Sequence, residues 1–272
     1  MRKVLAIVVT FKRPLLLQEC LDSLWKQREF GLEKIHVVVN SHDAATMDVV
    51  NSFAQKHNGF LSYETHDNVG PAGGFYFGLK KFMDDDADFA WLMDDDIKVS
   101  DSSLKELLIC AQQSDYVFPK VMKASGEQVI SYGWWAVLLS RKIVKEVGLP
   151  LKDLFYWIED TEYLQHRIAL VHGYRELRCE KAVVEHHHQR GQTFPSWYYY
   201  YTVRNTLDYR LYVQRKGLGR RLVRILALYM SAWIRILFKE PGKLRKMRLV
   251  VLGTYDGLVR NTGKRIDPEI YY

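Results

Sequence analysis

Phe89-Ala90-Trp91-Leu92-Met93-Asp94-Asp95-Asp96-Ile97 (FAWLMDDDI) is a short apolar run that ends on three carboxylates. Five apolar residues bounded by charge read as a strand buried on both faces, the kind that belongs to the middle of a parallel sheet. The segments upstream agree. Val4–Thr10 is a β-branched run, Leu15–Trp25 repeats apolar residues at helical spacing, and Ile35–Asn40 (IHVVVN) is again strand-like. Met47–His57 predicts a helix, Phe60–Glu64 a strand, and Phe75–Met83 a helix opened by a glycine turn. Strands alternating with helices predict an α/β fold, a mostly parallel sheet with helices on both faces. Ligands of such sheets gather at the carboxyl ends of the strands. Thr10 and Arg13, Asn40, Asn68 and the Asp triplet all follow predicted strands, so they are expected on one rim.

The chain of 272 residues is 48% apolar and 26% charged, which excludes disordered, collagen-like and low-complexity classes. The apolar start Val4–Val9 runs into Phe11-Lys12-Arg13-Pro14 without a small-residue cleavage site, so it is read as a strand rather than a leader. Cys20, Cys110 and Cys179 are odd in number and widely spaced, which points to neither a disulfide framework nor a cysteine metal site, and to a reducing cytoplasm. The formal charge of +7 is unevenly spread: Arg210–Arg265 holds 15 Lys/Arg against Glu240 and Asp256, a local +13, leaving −6 elsewhere. A boundary is expected there, with a catalytic domain over 1–208 and a basic helical region over 209–272.

Three carboxylates in a row repel one another unless a cation lies among them, and hard oxygen ligands suit Mg²⁺ or Mn²⁺. Asp84-Asp85-Asp86 closes a helix-like segment instead and reads as a solvated turn. Asn68-Val69-Gly70-Pro71-Ala72-Gly73-Gly74-Phe75 joins a strand to a helix. Its glycines would let backbone approach a ligand and its helix N-terminus would offer N–H groups to phosphate or sugar oxygens, or it is a tight turn alone. Phe155-Tyr156-Trp157-Ile158-Glu159-Asp160-Thr161-Glu162-Tyr163 sets carboxylates among aromatics; partial desolvation would raise their proton affinity, as a general base for an alcohol requires. The same acids would also suit a helix start. Val183-Val184-Glu185-His186-His187-His188 ends a strand with histidines, of which at most one or two can face one ion.

In order, TFKRP after the first strand, NVGPAGGF, WLMDDDI, YWIEDTEY, VVEH and YYYYTVRN resemble the inverting GT-A glycosyltransferases of family 2, over roughly residues 3–265. With Gly133-Trp134-Trp135 added, the set is most similar to bacterial galactofuranosyltransferases; related rhamnosyltransferases share many of these features. The resemblance implies the GT-A, Rossmann-like fold of nucleotide-diphospho-sugar transferases. It implies that Asp94, Asp96 and His186 bind Mn²⁺ or Mg²⁺ and that Asp95 meets ribose or phosphate. Thr10, Arg13, Asn40, Asn68, Gly73, Gly74 and Arg204 would join in donor binding, Arg204 either at the diphosphate or paired with a carboxylate. Asp160 would be the base, with Glu159 and Glu162 orienting acceptor hydroxyls and Trp134 and Trp135 walling the sugar pocket, unless the tryptophans serve core packing. Where many relatives carry an acid after the second strand, this chain has Val39-Asn40-Ser41-His42-Asp43, and Asn40 is left to hydrogen-bond the base.

Arg220–Lys239 is long enough to span hydrocarbon at about 1.5 Å per residue, but Arg220, Arg224, Ser231 and Arg235 form a polar stripe opposite an arc with Leu222, Ile225, Tyr229, Trp233 and Ile236. That pattern predicts a helix in an anionic membrane interface, extended by Lys243, Arg245, Lys246 and Arg248. Packing on its own domain or on a second subunit in a homo-oligomer is the alternative. The expected partners are a nucleotide-sugar donor and a glycan or lipid-linked acceptor of the cell envelope, on the inner face of the membrane. A nucleic-acid-binding protein with Tyr198–Tyr201 as a stacking platform would leave the acidic groups repelling phosphate. No nucleic acid is therefore expected, and a third option, nucleotidyl transfer onto a sugar, lacks its Lys/Gly-rich start near residue 10.

Overall fold

The computed structural model describes residues 2–187, 193–214 and 217–270; His188 lies outside them. Strands β1 (Val4–Thr10), β2 (Leu32–Val39), β3 (Leu61–Thr65), β4 (Phe89–Asp94), β5 (Ile97–Val99), β6 (Tyr116–Lys123), β7 (Gln128–Val129), β8 (Trp135–Ser140) and β9 (Leu177–His186) form one sheet in the order β3-β2-β1-β4-β8-β6-β9-β5, with β7 on β6. The pairings of β3, β2, β1 and β4 are parallel. Antiparallel β8 then joins β4 to β6, and β9 lies parallel to β6. This is the α/β architecture, a mostly parallel sheet with helices on both faces, that the strand–helix alternation predicts.

Strand β1 shows why the sheet is covered twice. All seven residues are buried, and successive side chains point to opposite faces. Val4, Ala6 and Val8 enter a core with Leu17 and Leu21 of α1 (Pro14–Trp25), Val50 of α2 (Ala44–Lys56) and Leu104 of α4 (Ser103–Cys110). Leu5, Ile7 and Val9 enter the other core, with Phe75 and Leu79 of α3 (Gly70–Asp84), Ile143 of α5 (Arg141–Val147) and Leu164 of the wide helical segment Thr161–Val171. Helix α3 starts five residues before the position that the apolar spacing predicts, because Pro71 and the glycines form its first turn rather than a loop.

Helix α6 (Ser196–Asp208) runs into a wider turn over Tyr209–Val213, where the expected boundary at 208 falls, and then α7 (Leu218–Lys239) and α8 (Lys243–Leu258) follow. The prediction for α7 is corrected in its orientation. Ile225, Tyr229, Trp233 and Ile236 pack inward around Tyr199, Val203 and Leu207 of α6, and Arg235 bonds Glu240 (2.8 Å). The apolar arc assigned to lipid is largely the inner face. The cysteine reading is corrected as well: Cys110 and Cys179 form a disulfide between α4 and β9, while Cys20 is free and buried. Their approach depends on α4 packing against β9, a contact across 69 residues that spacing does not reveal.

Candidate functional site

Strand register builds the rim. Val9 lies beside Asp94 and Thr10 beside Val39, so the residues that leave β1, β2 and β4 emerge side by side, as expected. Asn40 N donates to Thr10 O (2.9 Å). Ile97 pairs with His186 across β5 and β9, which sets His186 Nε2 3.5 Å from Asp96 Oδ1.

Asp95 and Asp96 are buried and compensated. Thr10 Oγ1 donates to Asp95 Oδ2 (2.6 Å). Arg13 meets Asp95 through Nη2 (2.5 Å) and Nε (3.2 Å) and donates Nη1 to Asp96 Oδ2 (2.9 Å). Burial pushes the Asp95 carboxyl up to about 6 against the pull of Arg13 and Thr10. Thr10, Arg13 and Asp95 therefore brace the loop after β1 against the triplet. Burial, and then the Asp96 charge, holds Asp94 well above the usual carboxylate range, and Glu159 adds to this effect. The loop that leads to Glu159 is tied to this rim through the start of α3, where Ala72 N donates to Phe155 O (3.3 Å) and Asn40 Nδ2 to Gly70 O (3.0 Å).

The segment before Glu159 is bent in an uncommon way. Phe155, Trp157 and Ile158 have φ of 63°, 74° and 71°, a region unfavourable for side-chain-bearing residues and most of all for a β-branched one. Its carbonyls are held from α6. Arg204, fully buried, donates Nη2 to Leu154 O (2.8 Å), Nη1 to Gly263 O (2.5 Å) and Nε to Asn205 Oδ1 (2.7 Å). Asn205 Nδ2 donates to Leu154 O (2.7 Å), Tyr156 O (2.6 Å) and Trp157 O (3.2 Å). Arg204 thus donates to backbone carbonyls and Asn205, and it makes no ion pair with a carboxylate among the described residues. Asn205 carries no role in the sequence reading; its only signal there is its place in YTVRN beside Arg204.

Asp160 Oδ1 accepts from Thr161 N (2.5 Å) and Thr161 Oγ1 (3.1 Å). Burial nevertheless raises its carboxyl to about 6. Burial and then the Asp160 charge lift Glu159 well above its ordinary range, and its Oε2 is buried without a partner. Glu162 is turned away from the acceptor role expected of it: Arg167 takes its oxygens at 2.8 and 2.9 Å. Burial still raises it, opposed by that arginine.

The glycine stretch serves packing. A Cβ on Gly70 (φ 68°) would lie 2.0 Å from Phe155 O, and one on Gly74 would lie 2.4 Å from Val9 and 3.2 Å from Asn40 Nδ2. Gly73 is filled in the same way by Val69. The N–H groups expected to await phosphate are partly used: Gly70 N donates to Asn68 Oδ1 (3.0 Å) and Ala72 N to Phe155 O (3.3 Å). Asn40 Nδ2 donates to Gly70 O (3.0 Å), leaving Oδ1 buried without a partner. Trp134 is buried, stacked on Phe75 at 4.1 Å, with its carbonyl on Asp94 N (2.9 Å) and its Nε1 unpartnered. Trp135 is half-buried, 5.3 Å from the His186 ring.

Among the described residues no three acidic, histidine or cysteine side chains sit closely enough to hold an ion by themselves. Asp96 and His186 approach to 3.5 Å, and they offer a carboxylate and an imidazole two residues from Asp94. Magnesium-like ions keep several positions for phosphate and water, so this donor set fits an ion completed by a nucleotide diphosphate.

The profile of glycosyl transferase family 2 fits residues 5–148, just over half of the chain. The galactofuranosyltransferase GlfT1 of Mycobacterium tuberculosis (strain ATCC 25618 / H37Rv) is 33% identical over 112 residues, 40% of this chain and 36% of the relative. GlfT1 of Mycolicibacterium smegmatis (strain ATCC 700084 / mc(2)155) is 30% identical over 147 residues, 53% of this chain and 47% of the relative. The matches thus span less than half the length of these relatives. In fold, the chain is similar to S. aureus TarS 1-349 in complex with UDP-GlcNAc (TM-score 0.64, 17% identity, 94% of this chain and 80% of that one). It is also similar to the mannosyltransferase PcManGT from Pyrobaculum calidifontis in complex with GDP-Man and Mn2+ (TM-score 0.57, 15% identity, 95% and 76%).

Proposed function

The chain belongs to glycosyl transferase family 2, and from that premise we propose that it is an inverting transferase moving galactofuranose from UDP-galactofuranose to a lipid-linked or polysaccharide acceptor in cell-envelope glycan synthesis. The similarity to the GlfT1 galactofuranosyltransferases supports the choice of sugar. Residues 1–208 form the catalytic unit and 209–272 a peripheral region at the cytoplasmic face of the membrane. The observation that supports the reading is the contact of the two acidic segments with one rim: Asp94 lies beside Val9 in register, and the loop before Glu159 meets the start of α3 through Ala72 N and Phe155 O (3.3 Å).

Asn40 Oδ1, buried and unpartnered, is an acceptor for the N3–H of uracil. Mn²⁺ or Mg²⁺ at Asp94, Asp96 and His186 would offset the charge that builds on the departing diphosphate. Trp134 offers its ring and free N–H to the sugar. Asp160 takes the proton of the acceptor hydroxyl as that oxygen attacks the anomeric carbon from the side opposite the leaving UDP. The carbon–oxygen bond to UDP breaks as the new one forms, and the configuration inverts because no enzyme nucleophile intervenes. Arg13, Thr10 and Asp95 hold the rim while Arg204 and Asn205 hold the base.

A second reading, rhamnosyl transfer from dTDP-rhamnose, rests on the same asparagine: Asn40 meets an N3–H that uracil and thymine share. Release of nucleoside diphosphate from UDP-galactofuranose, dTDP-rhamnose and UDP-hexopyranoses, each with and without Mn²⁺, separates them. Turnover of UDP-galactofuranose is expected. Turnover of dTDP-rhamnose alone transfers the assignment to the second reading, and release from none of them overturns both.

A further inference from the structure

Helix α7 has two apolar faces, and the described residues cover only one. Opposite the residues that pack on α6, the side chains of Leu222, Leu226, Met230, Ile234, Leu237 and Phe238 are 42–80% exposed. At about 3.6 residues per turn they share one arc. Single exposed apolar residues are ordinary, but a continuous stripe along a whole helix marks an interaction surface. The charge beside it has one sign. Between Leu218 and Arg260 the sequence has two acids, Glu240 and Asp256, and both point inward. Glu240 is held by Arg235 (2.8 Å) and Lys246 (2.6 Å), Asp256 by Tyr200 (2.5 Å) and Asn261 (3.0 Å). Arg220, Arg224, Lys239, Lys243 and Arg248 remain exposed.

We infer that the outer face of α7, with Phe238 and Leu244 flanking the turn into α8, is the surface by which the protein lies on an anionic lipid bilayer. The lipid-facing residues are therefore those that the domain leaves uncovered. No helix among the described residues is long and apolar enough to cross a membrane, so α7 lies along the interface, its apolar side chains reaching about 5–10 Å into the acyl boundary with Arg and Lys among headgroups. A second copy on a twofold axis would oppose the same unbalanced cations, whereas anionic lipid neutralises them. The face also connects to the site: Phe194 N donates to Glu240 (3.2 Å), Phe194 stacks on Tyr198 (4.2 Å), and Tyr198 meets Trp157 edge-on (5.4 Å), two residues before Glu159. A membrane-borne acceptor would be presented along that path; this last step rests on the transferase reading, while lipid binding does not.

The test sediments the full chain with vesicles of phosphatidylcholine and with vesicles that also contain phosphatidylglycerol. Binding about tenfold or more tighter to the anionic vesicles, weakened by salt, is expected. In the double variant Leu226→Glu/Ile234→Glu, binding falls by about tenfold or more while the melting curve and donor hydrolysis stay unchanged. Equal binding to both vesicle types, or undiminished binding by the variant, overturns the inference. So does a solution dimer that the variant splits, which would give the face to a second copy. Failure of the transferase reading would appear as no donor hydrolysis by the unmodified chain, with vesicle binding intact.

Discussion

Asp95 and Asp96 carry their charges against the guanidinium of Arg13 at 2.5 and 2.9 Å, whereas Glu159 and Asp160 have no ion pair among the described residues and are fixed through their loop by Arg204 and Asn205. The first group has a fixed cation against Asp95 and Asp96, whose pull opposes the effect of burial on Asp95, which suits holding a diphosphate beside it. The second is desolvated with no cation beside it and only the hydrogen bonds of Thr161 on Asp160 to oppose burial, which raises its affinity for protons, as a base requires. The difference teaches that acids at one rim take different roles from what surrounds them.

The largest effect that would break this comparison is at Asp160. Asp160→Asn is expected to cut turnover by about 10²–10⁴ and to leave UDP binding, read by calorimetry, nearly intact. It should also melt higher at pH 7. The folded carboxyl titrates at about 6 instead of 3.8, so the folded state disfavours the ionised form. Its contribution to stability is complete below 3.8 and is lost as pH rises through 6, and an uncharged amide escapes that loss. An unchanged turnover would remove Asp160 from the mechanism. An unchanged melting temperature would mean that the loop does not desolvate it.

Next is Asn205→Ala, which removes the side-chain donor of Tyr156 O and Trp157 O and leaves Leu154 O to Arg204. Turnover is expected to fall by about ten- to a hundredfold through misplacement of the base, with UDP affinity unchanged. The acid limb of the kcat–pH profile is expected near 6 in the unmodified chain, where burial puts the Asp160 carboxyl, and should move toward lower pH in the variant as water reaches Asp160. A fall in turnover with the limb unmoved would mean a general loss of structure rather than a lost aim.

The contrast also explains what the sequence made legible. β1 and β4 are continuous apolar runs and β2 ends on one, so the strands and the rim at Thr10, Asn40 and Asp94 follow from local pattern alone. The brace by Arg13 and the grip of Arg204 and Asn205 depend on chain segments 82 and 50 residues apart, and composition does not encode which carbonyl a guanidinium will find. The positive φ values at Trp157 and Ile158 contradict local preference and exist only because α6 holds them. The same blindness inverted α7, where periodicity shows an amphipathic helix without showing which apolar face the domain uses.

Arg13→Gln tests the compensated side. Asp95 would keep Thr10 and lose most of the guanidinium's contacts, so its folded carboxyl rises further above the usual range. Stability is then lost more steeply as pH rises toward neutrality. The expected cost is about 1–3 kcal/mol, less than the 3–5 for breaking a fully buried pair because Arg13 is 36% exposed. Melting at pH 5 and pH 8 reads it: the gap between variant and unmodified chain should widen at pH 8, and an equal gap would show that charge compensation is not what Arg13 supplies.

The smallest effect lies where the two groups meet. Trp134 holds Asp94 N through its carbonyl and stacks on Phe75 at 4.1 Å, yet its buried Nε1 has no partner. A buried N–H left unsatisfied costs free energy that a ligand oxygen would recover. Trp134→Phe keeps a ring for the stack and leaves the backbone bond in place, so the free protein should melt no lower apart from the smaller ring's packing. Affinity for the nucleotide sugar should fall by about three- to tenfold while affinity for UDP alone is unchanged. An equal fall for UDP would put that N–H on the nucleotide. No fall for either would separate Trp134 from the ligand and leave it to link the two acidic groups by packing alone.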